Sequence, residues 1–170
     1  NPRRPVPGLD IKLDHEELLK GKNLLEEVVK NNKPTICLFT YATGAKCYSE
    51  EWWNEFYKLL QQRFWDYNFL EVLPVENISQ LSFKVPSFYS RDIREIGSVI
   101  AQTEIFIGAD SGIMHLASSV QTPTVGLFSG TSPSKYGPYS GKNIGVNTRT
   151  TTMEEILDHV EKILFSRDIN

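Results

Sequence analysis

Short continuous apolar runs alternate along this chain with segments of helical periodicity, and no Asn-Gly or Asp-Gly hairpin signal stands between consecutive runs. That alternation constrains the fold more than any other feature. A run such as Thr35-Ile-Cys-Leu-Phe39 is apolar on both sides, as a strand needs when helices cover both faces of its sheet. Without hairpins, successive strands return through right-handed helical crossovers and lie parallel. The pattern predicts a Rossmann-like α/β domain: an open, mostly parallel sheet with helices on both faces.

Helices are expected from Asp14 to about Asn31, Trp52 to Phe64 behind Ser49, Asp92 to Gln102 behind Ser90, Gly112 to Ser119, and Thr151 to Phe165. Asp14 and Ser49 are predicted caps, and Thr151 with Glu154, or Thr152 with Glu155, offers a capping box. Strands are expected at Thr35 to Phe39, Phe69 to Leu73, Ile105 to Ile107, Thr124 to Phe128 and Asn143 to Val146, with a short one near Phe83 to Val85. The opening Asn-Pro-Arg-Arg-Pro-Val-Pro reads as linker, which predicts 1–13 as an interdomain linker or fragment start and 14–170 as one domain.

Composition removes several classes of function. The chain has 18 Lys+Arg against 21 Asp+Glu and no basic block, so nucleic acid is not an expected partner. Its two cysteines, Cys37 and Cys47, lack metal-ligand spacing and point to a reducing compartment. With no signal peptide and no apolar run long enough to span a bilayer, a cytoplasmic location is expected. Neither G-x-G-x-x-G, nor a phosphate loop ending in G-K-[ST], nor the hydrolase elbow G-x-S-x-G occurs. His15 and His159 lie on predicted terminal helices as surface residues. Trp52, Trp53 and Trp65 read as helix-packing residues rather than a sugar platform.

In a parallel sheet ligands sit at the carboxyl ends of the strands. Three loops should leave that edge together: Thr40 to Lys46, Gly108 to His115, and Ser129 to Tyr139. Gly108-Ala-Asp-Ser-Gly112 carries a strand into a helix through small residues, so the first-turn amides of Ser111, Gly112 and Ile113 can face an anion. Ser111 adds a hydroxyl, Gly112 permits close approach, and His115 lies one turn on along the same face. An alternative with equal support is structural: Asp110 caps the helix and His115 packs internally. Asp110 would repel a diphosphate unless it caps amides, binds a sugar hydroxyl or meets a cation. Lys46 is either a solvated surface lysine or a cation for a leaving diphosphate, and composition alone leaves the Ser129 loop undecided.

The block Asp110-Ser-Gly-Ile-Met-His-Leu-Ala117, followed by Thr122-Pro-Thr-Val-Gly-Leu-Phe128 and Ser129-Gly-Thr-Ser-Pro133, resembles glycosyltransferase family 9, the lipopolysaccharide heptosyltransferases. The similarity extends from about Asp14 to Phe165. It implies the C-terminal, nucleotide-sugar-binding half of a two-domain GT-B glycosyltransferase. By position, Ser111, Gly112 and His115 would contact the donor diphosphate, Asp110 would bind the sugar or order the loop, and Lys46 would stabilise the departing nucleotide. Thr43 is a further candidate in the Lys46 loop.

The resemblance also implies inversion at the anomeric carbon with no bound metal or cofactor. The carboxylate base would come from the N-terminal half, leaving the catalytic base unassigned here. Family members usually carry a glycine-containing turn and an acidic residue after the second strand, whereas here the sequence is Leu73-Pro-Val-Glu-Asn77, with Glu76 in the acidic role. The departure leaves ADP-heptose as the favoured donor but not a deduced one. The expected acceptor is lipopolysaccharide or another glycan or lipid-linked sugar, with peripheral association of the full-length protein at the inner face of the membrane as an option. Two other classes remain to be separated: a degenerate domain serving as a protein-binding module, and a nucleotide-sugar epimerase or hydrolase.

Overall fold

The computed structural model describes residues 10–130 and 143–169. The elements run α1 (His15–Val29), β1 (Thr35–Phe39), a 3₁₀ turn (Gly44–Lys46), α2 (Glu50–Arg63), β2 (Asn68–Val72), β3 (Ser87–Phe88), α3 (Ile93–Ile100), β4 (Ile105–Ala109), α4 (Gly112–Ser119), β5 (Thr124–Phe128), β6 (Ile144–Asn147) and α5 (Met153–Ile169). All strand pairs are parallel, in the order β3-β2-β1-β4-β5-β6. The chain winds outward from β1 in one direction, then returns and winds the other way from β4. Where the winding reverses, the loops after β1 and β4 turn to opposite faces and leave a crevice between them.

Successive side chains of each strand point to opposite faces, so every apolar strand feeds two cores. Ile36, Leu38, Phe69, Ile105, Ile107, Val125 and Leu127 join Trp53, Phe56 and Leu60 of α2 and Ile156, Leu157 and Val160 of α5. On the other face Cys37, Phe39, Leu70, Val72, Phe106 and Phe128 meet α1, α3 and α4. Each fully buried Ile, Leu or Phe contributes about 1.5–3 kcal/mol, enough for both layers to hold the sheet.

The helix starts follow local chemistry. Asp14 accepts from the Glu17 amide while Glu17 accepts from the Asp14 amide, a complete capping box. Ser49 Oγ accepts from Trp52 N at 3.0 Å. Of the two capping boxes offered before α5, the one that forms joins Thr152 and Glu155. α1 ends before Lys33-Pro34, at Lys30 in the left-handed region with φ 51°.

The third strand differs from expectation. Phe83 to Val85 does not pair, because Ser82 and Phe83 both have positive φ (53° and 56°) and turn the chain; Ser87–Phe88 pairs with β2 instead. Trp65 departs too: Trp53 is fully buried, but Trp65 is 75% exposed. His15 and His159 are exposed, as expected. Of the expected linker, residues 1–9 lie outside the described ones, while Ile11 donates its amide to Ser119 O at 3.1 Å and packs on the α1/α3/α4 layer. Among the described residues no helix is long and apolar enough to cross a membrane.

Candidate functional site

A cavity of about 830 Å³ opens at the carboxyl edge of the sheet, at the reversal between β1 and β4. Its walls come from four strand exits. Phe39 ends β1 and Tyr41 to Thr43 with Lys46 follow it, Leu73 to Glu76 follow β2, Arg91, Ile93 and Ile96 lie just before and within the start of α3, and Asp110 to Ile113 with His115 follow β4. Thr43, Lys46, Glu76, Asp110, Ser111, Gly112 and His115, the residues singled out from the sequence, all line it. β1 and β4 pair from Ile36↔Ile105 to Phe39↔Gly108, so the Lys46 loop and the α4 start emerge side by side. The Ser129 loop is described only for Ser129 and Gly130; the rest of that expected segment lies outside the described residues.

Gly44 takes φ +57°, which glycine adopts without strain, and the 3₁₀ turn it opens places Lys46 facing β4. Lys46 Nζ lies 3.1 Å from Asp110 Oδ2, with the lysine half exposed and the aspartate largely buried. Asp110 is therefore not the helix cap considered from the sequence. Ser111 is: its backbone is extended (φ −163°, ψ 165°) and its Oγ accepts from Met114 N at 3.2 Å. A serine hydroxyl reaches its own third-following amide readily, and Asp110, freed of that task, meets a cation instead. The Asp110 amide donates to Leu127 O at 3.2 Å, which fixes the carboxylate beside Lys46.

With Met114 N satisfied, the amides of Gly112 and Ile113 at the first two positions of α4 have no partner within the helix. Gly112 is exposed, and nothing lies within 4 Å of the point where a Cβ would sit. His115 is half-buried and one turn on, and its amide donates to Ser111 O at 3.4 Å. Thr43 makes no side-chain capping bond to the 3₁₀ turn, and its side chain lines the cavity. One end of the cavity thus combines two amides without a partner among the described residues, a helix N-terminus, a lysine and hydroxyls, a set suited to an anion.

The other end is apolar. Leu73, Pro74, Val75, Ile93 and Ile96 form its walls, with Glu76 and Arg91 at the rim. Sequence reasoning found Glu76 here but not Arg91, which precedes the α3 cap Asp92 and carries no motif.

Behind the cavity, Glu71 is fully buried on β2. It accepts from Thr40 Oγ1 at 2.7 Å and Ser79 Oγ at 2.8 Å, and Thr40 Oγ1 in turn accepts from Gln80 N. Burial pushes its carboxyl above the ordinary glutamate range, and the two hydroxyl donors pull it partly back. This network joins the β1 exit to the loop after β2, so both cavity walls share one anchor. Among the described residues no group of His, Cys, Asp and Glu is arranged to hold a metal ion.

Comparison with known proteins agrees with this geometry. Residues 90–162 match the model of glycosyltransferase family 9 (heptosyltransferase), which upholds the resemblance read from the Asp110 block. The matched stretch includes Arg91 and Asp110 to His115 but not Thr43, Lys46 or Glu76. A family 9 glycosyl transferase from Veillonella parvula superposes with a TM-score of 0.80 at 16% identity, over 94% of this chain and 54% of that one. ADP-heptose lps heptosyltransferase II from E. coli gives 0.74 at 16% identity, over 94% and 54%. The E. coli heptosyltransferase WaaC, solved with ADP, gives 0.63 at 16% identity, over 84% and 48%. The chain therefore spans about half the length of the solved structures it matches, and its fold is that of the family 9 glycosyltransferases. No curated protein sequence matches it.

Proposed function

We propose that this chain is the donor-binding half of an inverting, metal-independent glycosyltransferase that moves a heptose-like sugar from a nucleoside diphosphate, with ADP-heptose as the donor. The observation that carries the reading is the two-ended cavity at the β1/β4 reversal, with an anion-suited end at Lys46 and the α4 start and an apolar end between the β2 exit and α3. The family match over residues 90–162 and the ADP named in one matched structure support the same donor class.

In the reaction an acceptor hydroxyl oxygen forms a bond to the anomeric carbon while the bond from that carbon to the diphosphate oxygen breaks. The electron pair leaves on the diphosphate, whose growing charge the amides of Gly112 and Ile113 and the Lys46 ammonium would meet. Asp110 would hold Lys46 in position and, through that pairing, spare the diphosphate much of its own repulsion. Ser111 and His115 would donate to the phosphate oxygens, and Thr43 and Glu76 would take hydroxyls of the donor. The hydroxyl proton would pass to a carboxylate base in an acceptor-binding half outside this sequence. The acceptor would be lipopolysaccharide or a related glycan, reached from the cytoplasmic face of the membrane.

Thermal unfolding with ADP tests the reading. Ligand that binds only the folded state raises Tm, by the equivalent of about 2.7 kcal/mol at one hundred times Kd. Lys46→Ala combined with His115→Ala should remove most of that shift. Absence of any shift with nucleoside diphosphates at millimolar concentration would refute it.

A further inference from the structure

We infer that Arg91 is a base-contacting specificity residue of this site: its guanidinium engages the nucleobase of the bound nucleotide. The inference rests on the donor-binding reading above and adds to it the ligand part that the apolar end of the cavity takes.

Arg91 is exposed and lines the cavity, and among the described residues no hydrogen bond or ion pair engages its side chain. Arg63 and Arg94 are, by contrast, fully occupied. Arg63 pairs with Asp158 at 2.6 Å and Glu154 at 3.2 Å. Arg94 holds Glu17 through Nε at 2.6 Å and Nη2 at 2.8 Å, fastening α3 to α1.

Arg91 also stands on a rigid base. Buried Ser90 accepts from Asp92 N at 3.0 Å, and Asp92 Oδ1 accepts from Arg94 N at 3.0 Å and Glu95 N at 3.3 Å. Its backbone is pinned on both sides while its five donors remain unspent.

Its neighbours identify the ligand part. Val75 (55% exposed) and Ile93 (54% exposed) are apolar side chains left open on the cavity wall beside it. Arg91 follows β3 and the α4 start follows β4, at different exits of the same sheet edge in the order β3-β2-β1-β4, and both line the one cavity. A ligand with its diphosphate at α4 would therefore lay its far, flat end between these apolar walls. A guanidinium stacks on π faces and donates to ring nitrogens and carbonyls, and a nucleobase offers both. A second phosphate is the weaker fit, because Glu76 stands at the same rim and apolar walls do not solvate an anion.

Calorimetric titration of the 170-residue chain with ADP and, separately, with inorganic pyrophosphate tests this. Arg91→Ala should weaken ADP about five- to twentyfold and leave pyrophosphate unchanged, because pyrophosphate reaches only the α4 end. Arg91→Lys keeps the charge but not the planar fork, and should behave like Arg91→Ala. Equal weakening of both ligands, full ADP affinity in Arg91→Ala, or full affinity in Arg91→Lys would overturn the assignment while leaving the donor-binding reading in place. If the unaltered chain binds no nucleotide, both fall together. With no partner to lose, Arg91→Ala should keep its ligand-free Tm, which guards against a folding artefact.

Discussion

Gly112→Ala separates ligand approach from folding at a single atom. Gly112 is the first residue of α4, and a Cβ there meets nothing within 4 Å. In the ligand-free protein alanine should be neutral or stabilising by about 0.4–1 kcal/mol, since it restricts the unfolded chain. For a chain of 170 residues that is a Tm rise of roughly 1–4 °C. The same methyl group would stand beside the Gly112 and Ile113 amides, where a phosphate oxygen must come within about 2.9 Å of nitrogen. Forcing a group into occupied space costs about 1–3 kcal/mol, and about 2 kcal/mol is a roughly thirtyfold rise in Kd. At an ADP concentration one hundred times the original Kd, the ligand's contribution would drop from about 2.7 to about 0.9 kcal/mol. A ligand-induced shift of roughly 5–10 °C should shrink to roughly 2–4 °C while the ligand-free Tm holds or rises. Scanning calorimetry with and without ADP reads both numbers. An undiminished ADP shift would show that no phosphate approaches α4, and a ligand-free Tm several degrees lower would show that the space is not open.

Two further substitutions test the frame around the site. Gly21 and Ser98 bring α1 and α3 so close that a Cβ on Gly21 would lie 2.2 Å from the Ser98 carbonyl oxygen. Gly21→Ala should cost about 2–3 kcal/mol despite alanine's helix propensity, visible as a Tm drop of roughly 4–12 °C by circular dichroism; a rise would mean the helices part freely. Glu71→Gln probes the buried network. Because burial raises the Glu71 carboxyl, the folded state holds its proton more tightly than the unfolded chain does, so that contribution is full below the ordinary glutamate value and is lost as pH climbs through the raised one. Glutamine cannot accept from both Thr40 and Ser79, and should cost about 1–3 kcal/mol at acidic pH. In urea melts the gap between the two proteins should narrow as pH rises through that window, and a widening gap would contradict the assigned direction.

How much of this could be read in advance depended on whether a feature was local. β1, α4 and β5 were legible to the residue, because an apolar run bounded by polar punctuation, or a small-residue helix start, states its own limits. The phantom strand at Phe83 failed because two left-handed residues are invisible in an aromatic and β-branched run. Asp110 and Ser111 are both capping residue types, and only the presence of Lys46 across the β1/β4 seam decides which one caps. Arg91 left no trace, since a lone arginine becomes informative only when the cavity wall beside it is known. The Glu71 network was equally silent, its hydroxyl partners lying 31 and 8 residues away in sequence.

The central place of β1, paired to β2 on one side and β4 on the other, has a consequence for when the site comes into being. Lys46 and the α4 start touch only after β1 has accepted a strand that follows it by an entire helix, a second strand pair and another helix. Contacts so distant in sequence are closed late, after the loop entropy between them has been overcome. On the proposed reading, a fragment ending before β4 would lack the α4 half of the diphosphate site, however well its own half is formed. Nucleotide binding should therefore track global rather than local unfolding, and ADP should slow amide exchange across β1 and β4 together instead of quieting one loop.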